Sequence, residues 1–121
     1  MKRDLRLFIE DVSESIRLIE KYIGDLSKGD FDKNQELKDS IVRRLEIIGE
    51  AVKNIPDDFK EKYPEVPWKK IVGLRDIIIH AYFNIDLDIM WDIIKKDLPC
   101  LKENIQKIKE DLKEKLQEKK Q

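Results

Sequence analysis

Apolar residues recur at intervals of three and four along two long stretches of the chain, residues 5–23 and 37–55. This spacing predicts two amphipathic helices, each burying one face. Pro56 marks the end of the second stretch, because proline cannot continue a helix. Residues 24–31 between the stretches are rich in glycine and in small polar residues, and they predict a loop.

The middle of the chain predicts a connection followed by a third helix. Residues 56–67 contain three prolines and predict little regular structure. Pro67 suits the first turn of a helix that continues to about His80. Residues 77–79 are three consecutive isoleucines, a strand-like run, but they are too few to outweigh the helical pattern on both sides.

Helical spacing resumes after this segment and continues to the C-terminus. Asp86 or Asp88 can cap a fourth helix, and Asp97, with Pro99 just after it, can cap a fifth. Residues 102–121 form a lysine- and glutamate-rich helical tail of mixed charge. This pattern is typical of a solvated helix face, with a strip that contacts RNA as the alternative. The fold class predicted is all-α, an antiparallel bundle of about five helices.

Composition limits the remaining choices. The chain has 121 residues, so we expect one domain over residues 1–121. It holds 25 Lys+Arg and 26 Asp+Glu, a formal net charge of -1, which excludes a strongly basic nucleic-acid coat. No apolar run approaches the roughly 18–20 residues of a membrane helix, and residues 1–4 lack the apolar core of a secretory signal. We therefore expect a cytoplasmic protein that does not enter a membrane.

Candidate chemistry is concentrated in residues 73–86. Arg75, His80 and Tyr82 lie within eight positions, and His80 is the single histidine of the chain. With one histidine and one cysteine, a histidine-rich or thiolate metal site is excluded, so no metal is expected. Asp76 is four residues before His80, shares its helix face and can orient the imidazole. A surface ion pair is the alternative role for Asp76.

A straight helix cannot direct Arg75 and His80 at one small group, since they point about 140° apart. They converge only if the helix ends near His80 or if a second copy of the chain supplies the missing partner. The competing interpretation is structural, with Arg75 and Asp76 paired to other helices and His80 at a helix end.

The pattern Arg75, four residues, His80, one residue, Tyr82 resembles the signature of the HepT-like toxins in the HEPN superfamily. The flanking residues 68–74 and 84–99 match as well, and residues 44–51 resemble the second-helix block of that family. The resemblance covers roughly residues 5–105.

The resemblance implies a HEPN bundle that forms a two-fold homodimer, with both motifs facing one cleft. It also implies metal-independent RNA cleavage without a cofactor, with Arg75 and His80 catalytic and Asp76 supporting them. The partner implied is a nucleotidyltransferase antitoxin of a type VII toxin–antitoxin module, which adds AMP to Tyr82. Tyr82 as an interface aromatic or a base-stacking platform is the alternative.

Two other functions stay open at this point. One is a catalytically weak HEPN module that binds nucleotide or RNA beside a nucleotidyltransferase. The net charge of -1 favours it slightly, because such a protein has no long-range attraction for RNA. The other is a structural bundle in which the motif only packs.

Overall fold

The computed structural model describes residues 4–74, 76 and 87–120. These residues form a bundle of helices and contain no β-strand, so the prediction of an all-α fold is confirmed. No helix in these ranges is long and apolar enough to cross a membrane.

Two long helices, α1 (Leu5–Ile23) and α3 (Gln35–Lys53), pack against each other along the bundle. They are the two helices that the apolar spacing predicts. The Asp4 carboxylate caps α1 by accepting from the Arg6 backbone N–H at 2.9 Å, and Asn34 caps α3 in the same way. Their shared face is aliphatic, and its fully buried members include Ile9, Val12, Ile16, Ile19, Ile41, Leu45, Ile48 and Val52.

The predicted loop between α1 and α3 is partly wrong, because it contains a short helix, α2 (Lys28–Lys33). The Ser27 side chain caps this helix by accepting from the Asp30 backbone N–H at 3.1 Å. Phe31 is fully buried, and its burial holds α2 on the bundle. The polar composition of this segment did not indicate a helix. The helix is stabilised by the burial of Phe31 and by the Ser27 cap.

The connection after α3 contains one helical turn, α4 (Asp57–Lys60), and then turns. The next helix, α5 (Trp68–Val72), begins directly after Pro67, as predicted. Leu74 and Asp76 are also helical, and residues 77–86, which include the strand-like isoleucines, lie outside the described residues.

The last helical stretch runs without a break through α6 (Leu87–Asp92), a π-helical turn (Ile93–Asp97) and α7 (Leu98–Lys120). The prediction that Asp97 caps a separate fifth helix is therefore wrong. Pro99 lacks the N–H that would bond to the carbonyl four residues earlier, and the chain widens instead of breaking. The Leu98 N–H donates to the Ile93 carbonyl, five residues back.

For the fourth helix, Asp88 lies inside the first turn of α6, and the alternative cap Asp86 is outside the described residues. α7 completes the core against α1. At its surface Lys109 donates to the Ser13 hydroxyl at 2.8 Å, and Lys102 pairs with Glu20 at 2.9 Å. The apolar face of α7 is buried through Leu101, Ile105 and Ile108.

Gly49 allows α3 and α5 to approach closely. A Cβ atom at this position would lie 3.2 Å from the Ile71 carbonyl oxygen and 3.6 Å from the Leu74 Cβ. Both Ile71 and Leu74 are buried. A side chain at position 49 would therefore require the α5 backbone to move away by a few tenths of an ångström.

Gly49→Ala should destabilise the protein, although alanine is ordinarily better than glycine in a helix by about 1 kcal/mol. The new methyl group meets backbone, which cannot rotate away, and overpacking of this kind costs about 1–3 kcal/mol. We expect a net loss of about 1 kcal/mol in the free energy of unfolding, measured by urea denaturation. The control is Gly29→Ala, whose Cβ would meet only the Ser27 hydroxyl at 3.8 Å. A Gly49→Ala protein as stable as the wild type would contradict this.

Candidate active-site segment

Of the four residues that the sequence nominates, the structure describes only Asp76. It is helical and exposed, and it forms no ion pair with another described residue. Arg75, His80 and Tyr82 lie outside the described residues, so their roles stay predictions. The structure does describe what holds the two ends of the segment that carries them.

The N-terminal end of the segment is fixed by α5 and by Leu74, which is 1% exposed and directly precedes Arg75. The start of α5 is held by Trp68, whose indole N–H donates to the Lys60 and Tyr63 carbonyls, both at 3.0 Å. Two hydrogen bonds from one ring fix its orientation and tie α5 to the preceding connection.

The C-terminal end of the segment is fixed by contacts between α2 and α6. The Trp91 ring packs on Phe31 with centroids 5.5 Å apart, in a tilted geometry. Lys28 of α2 forms an ion pair with Asp88 of α6. The Lys95 ammonium lies 4.9 Å from the Trp91 ring centroid, a cation–π contact.

One ion pair connects the two ends. The Lys70 ammonium of α5 lies 2.6 Å from an Asp97 carboxylate oxygen in the π-helical turn. The Asp97 side chain is only 17% exposed, so solvent screens this pair less than it screens a surface pair. Its place before Pro99 predicted that Asp97 caps a helix, whereas Asp97 joins the stretches before and after the motif.

Two grooves of opposite charge lie on the described surface. The acidic groove, about 410 Å³, is between α1 and α3 and is lined by Asp11, Glu46, Glu50 and Arg43 among others. Arg43 lies 3.8 Å from Glu46. Across the described residues there is no group of three or more side chains suited to hold a metal ion.

The basic groove, about 900 Å³, lies between the end of α3, the α4 connection and α5. Its lining includes four lysines and two carboxylates, together with Trp68, two prolines and two valines. Sequence analysis missed this groove, because its cations come from segments that only the fold brings together. The adjacent lysines before the motif were its one sequence signal. The lysines are Lys53, Lys60, Lys69 and Lys70.

Comparison with protein families decides what kind of protein carries this segment. The family described as Ribonuclease HepT-like matches residues 12–108, which include all four nominated residues. The chain belongs to the HepT-like ribonuclease family. The predicted family and the assignment to ribonuclease enzymes are thereby confirmed.

Relatives of this HepT-like chain agree. It is 42% identical over 109 residues to a Thermococcus cleftensis protein named "Probable ribonuclease HepT", covering 90% of this chain and 99% of that one. It is 47% identical over 112 residues to a Methanocaldococcus jannaschii protein named "Gamma-glutamylcyclotransferase and putative RNase". That match covers 93% of this chain but spans only 50% of the relative. No solved structure matches the chain significantly.

Tyr63 links the connection before α5 to α7 in this HepT-like bundle. Its side chain is 6% exposed, and its hydroxyl donates to the Asp111 carboxylate. Burial, reinforced by the neighbouring carboxylate, raises the pKa of Tyr63 well above its ordinary value near 10. The folded protein therefore keeps this tyrosine protonated, whereas the unfolded chain ionises it from about pH 10.

Tyr63→Phe should lower stability at neutral pH and weaken the pH dependence at high pH. Loss of the hydrogen bond costs about 1 kcal/mol. Because the pKa of Tyr63 is raised by folding, its stabilisation is full below about pH 10 and declines above it. Wild-type stability should thus fall more steeply above pH 10 than that of the variant, measured by urea denaturation across this range. Tyr22→Phe, at an exposed position, should keep the wild-type slope. Equal slopes for wild type and Tyr63→Phe would refute the assignment.

Proposed function

We propose that this chain is a metal-independent endoribonuclease and acts as the toxin of a type VII toxin–antitoxin module. The observation that carries the proposal is the HepT-like family match over residues 12–108, which includes Arg75, His80 and Tyr82 at the spacing of the motif. The relatives named as ribonucleases support RNA as the substrate.

The proposed chemistry uses the ribose 2′-hydroxyl as nucleophile. Its oxygen bonds to phosphorus while the bond from phosphorus to the 5′ oxygen breaks, which leaves a 2′,3′-cyclic phosphate. A base takes the 2′-hydroxyl proton and an acid gives one to the 5′ oxygen. A histidine side chain can both accept and donate a proton near neutral pH, so His80 suits either proton transfer. The Arg75 guanidinium stabilises the negative charge that develops on the phosphate oxygens.

A homodimer answers the need for two acid–base groups. One chain supplies a single histidine, and a two-fold dimer supplies two. Arg75 and His80 of one copy point about 140° apart on a straight helix. A dimer removes this difficulty, because Arg75 of one copy can act beside His80 of the other. Asp76 is a supporting residue in this proposal, and its exposure leaves the carboxylate accessible to an imidazole.

The described contacts hold the residues that flank the motif segment in place on the bundle. The Gly49 contact and the Lys70–Asp97 pair hold one side, and the Phe31–Trp91 packing holds the other. Catalysis by positioned side chains requires such a support, because small displacements of reacting groups reduce the rate strongly.

Control of the toxin is proposed to act through Tyr82. A nucleotidyltransferase antitoxin would join the α-phosphorus of ATP to the tyrosine oxygen, which loses its proton, while the bond to the β-phosphate breaks and pyrophosphate leaves. The added AMP is a bulky anion close in sequence to Arg75. It would occupy the phosphate site and exclude RNA by charge and by volume.

The second candidate is a catalytically weak HEPN module that binds nucleotide or RNA beside a nucleotidyltransferase. The net charge of -1 and the acidic groove favour it, since neither attracts RNA over a distance. RNA cleavage by the unmodified protein separates the two candidates.

Unmodified protein should cleave RNA in excess chelator, and His80→Ala should lower the rate by about 100-fold or more. The protein's intact mass, measured beforehand, establishes that Tyr82 is free. The assay follows a labelled single-stranded RNA on a denaturing gel. Absence of cleavage by the wild type would favour the binding module, and equal cleavage by both proteins would identify a contaminating nuclease.

Mixed dimers of wild type and His80→Ala test whether one active site uses both histidines. After wild type and His80→Ala are unfolded together and refolded in equal amounts, random pairing leaves about a quarter of the dimers fully wild type. Activity near that fraction indicates that both histidines act in one site. Activity near half indicates that one histidine suffices for each active site and would overturn the proposal that both histidines act in one site.

Incubation with ATP, Mg²⁺ and a minimal nucleotidyltransferase should add one AMP per chain and abolish RNA cleavage. Tyr82→Phe should prevent the mass increase. The chain offers matched controls at its other two tyrosines, the exposed Tyr22 and the buried Tyr63. Tyr22→Phe and Tyr63→Phe should still be modified. Mass addition that survives Tyr82→Phe would place the modification elsewhere.

A further inference from the structure

We infer that the basic groove binds single-stranded RNA and guides it to the motif segment, an inference that rests on the proposed ribonuclease function. The groove is built from Trp68 and four lysines at the end of α3, the α4 connection and α5. Asp76, the one motif-segment residue that the structure describes, is not among the groove's described lining residues. The role inferred for the groove is to bind the substrate, whereas the proton transfers are proposed for His80.

The charge of the basic groove favours an anionic ligand. The four lysines of the groove face two carboxylates, Asp57 and Glu61, so the groove carries a positive excess in a chain whose net charge is -1. The acidic groove has the reverse balance, with three carboxylates and one arginine. A polyanion is therefore attracted to one face of the bundle and repelled by another.

The availability of the lysines is the second argument. Lys70 is engaged with Asp97, and the Lys60 side chain is only 12% exposed, with its ammonium 4.0 Å from Asp57. Lys53 and Lys69 are exposed and have no ion-pair partner within the described part of the chain. These two cations are free to neutralise phosphates, which is the main source of affinity for nucleic acids.

Trp68 supplies the contact that distinguishes RNA from a simple anion. Its ring is half-buried and lines the groove, and its two hydrogen bonds to the Lys60 and Tyr63 carbonyls fix it in place. A fixed aromatic ring beside free cations is the arrangement that binds single strands, with bases stacking on the ring and phosphates meeting the lysines.

Position relative to the motif is the final argument. α5 forms one wall of the groove and continues through Gly73 to Leu74, the residue directly before Arg75. Lys69 and Leu74 are five residues apart, so even a fully extended chain would separate their Cα atoms by at most about 18 Å. A strand that lies in the groove therefore reaches the motif within a few nucleotides.

The test compares two double variants with the same change in charge. Lys53→Glu with Lys69→Glu removes the free cations of the groove. Lys21→Glu with Lys107→Glu changes two exposed lysines on α1 and α7, outside the groove. Both are made in the His80→Ala protein, which prevents cleavage, and thermal unfolding confirms that each folds. Binding of a fluorescein-labelled oligouridylate is measured by anisotropy at several salt concentrations.

The groove variant should bind the oligouridylate at least tenfold more weakly than the control variant. Its plot of log affinity against log salt should be shallower by about 1.4, for two lost phosphate contacts on a single strand. Equal affinity of the two variants would overturn the inference. A polyglutamate peptide that competes as well as RNA of the same charge would also overturn it, and would identify the groove as a site for acidic peptides.

Two further readouts separate this inference from the proposed function. In Trp91→Phe protein, Trp68 is the only tryptophan, so quenching of its fluorescence by oligouridylate reports on the groove. With His80 restored, the groove variant should raise KM for RNA at least tenfold and leave kcat within twofold. If the wild type does not cleave, the proposed function fails, while binding and quenching still decide the groove. If the lysine changes do not affect the quenching of Trp68 fluorescence by oligouridylate, the inference that the groove binds RNA is refuted.

Discussion

The contact between α3 and α5 at Gly49 sets the position of the helix that leads into the motif. The Ile71 carbonyl lies so close to Gly49 that a side chain there would displace the α5 backbone. Leu74 is buried by the same contact, and the motif begins at the next residue. Packing of backbone against backbone is stiffer than packing of flexible side chains, because neither partner can change rotamer to relieve a clash. The bundle thereby gives a short helix of five residues a defined position that its own hydrogen bonds could not supply.

The spacing of apolar residues predicted the long helices. α1 and α3 each bury one continuous aliphatic face, which can be recognised in the sequence without knowing what packs against it. They failed where tertiary contacts decide the outcome. α2 is too polar to be recognised, and the burial of Phe31 stabilises it. Asp97 looked like a cap because it precedes Pro99, whereas its carboxylate pairs with Lys70, which is distant in sequence.

The same distinction applies to the candidate site. Arg75, His80 and Tyr82 lie within eight positions of one another, so a sequence motif could identify them together with the family. The basic groove combines Lys53 with Lys69 and Trp68, which the fold brings together from separate segments. The net charge does not reveal the basic groove either, because the total of -1 sums over an acidic face and a basic face. For an enzyme acting on a polyanion, where the charges lie matters more than their sum.

The π-helical turn at Ile93–Asp97 sets the direction in which α6 faces. A regular helix turns by about 100° per residue, so one residue more or fewer in this turn rotates all preceding residues about the helix axis by that angle. The Trp91–Phe31 and Lys70–Asp97 contacts form together only at the present rotation. Insertion or deletion of a single residue between positions 93 and 97 would turn Trp91 relative to Asp97, so that both contacts could not form at once. In this chain, the length of that turn is therefore under a constraint that the amino-acid identities within it do not reveal.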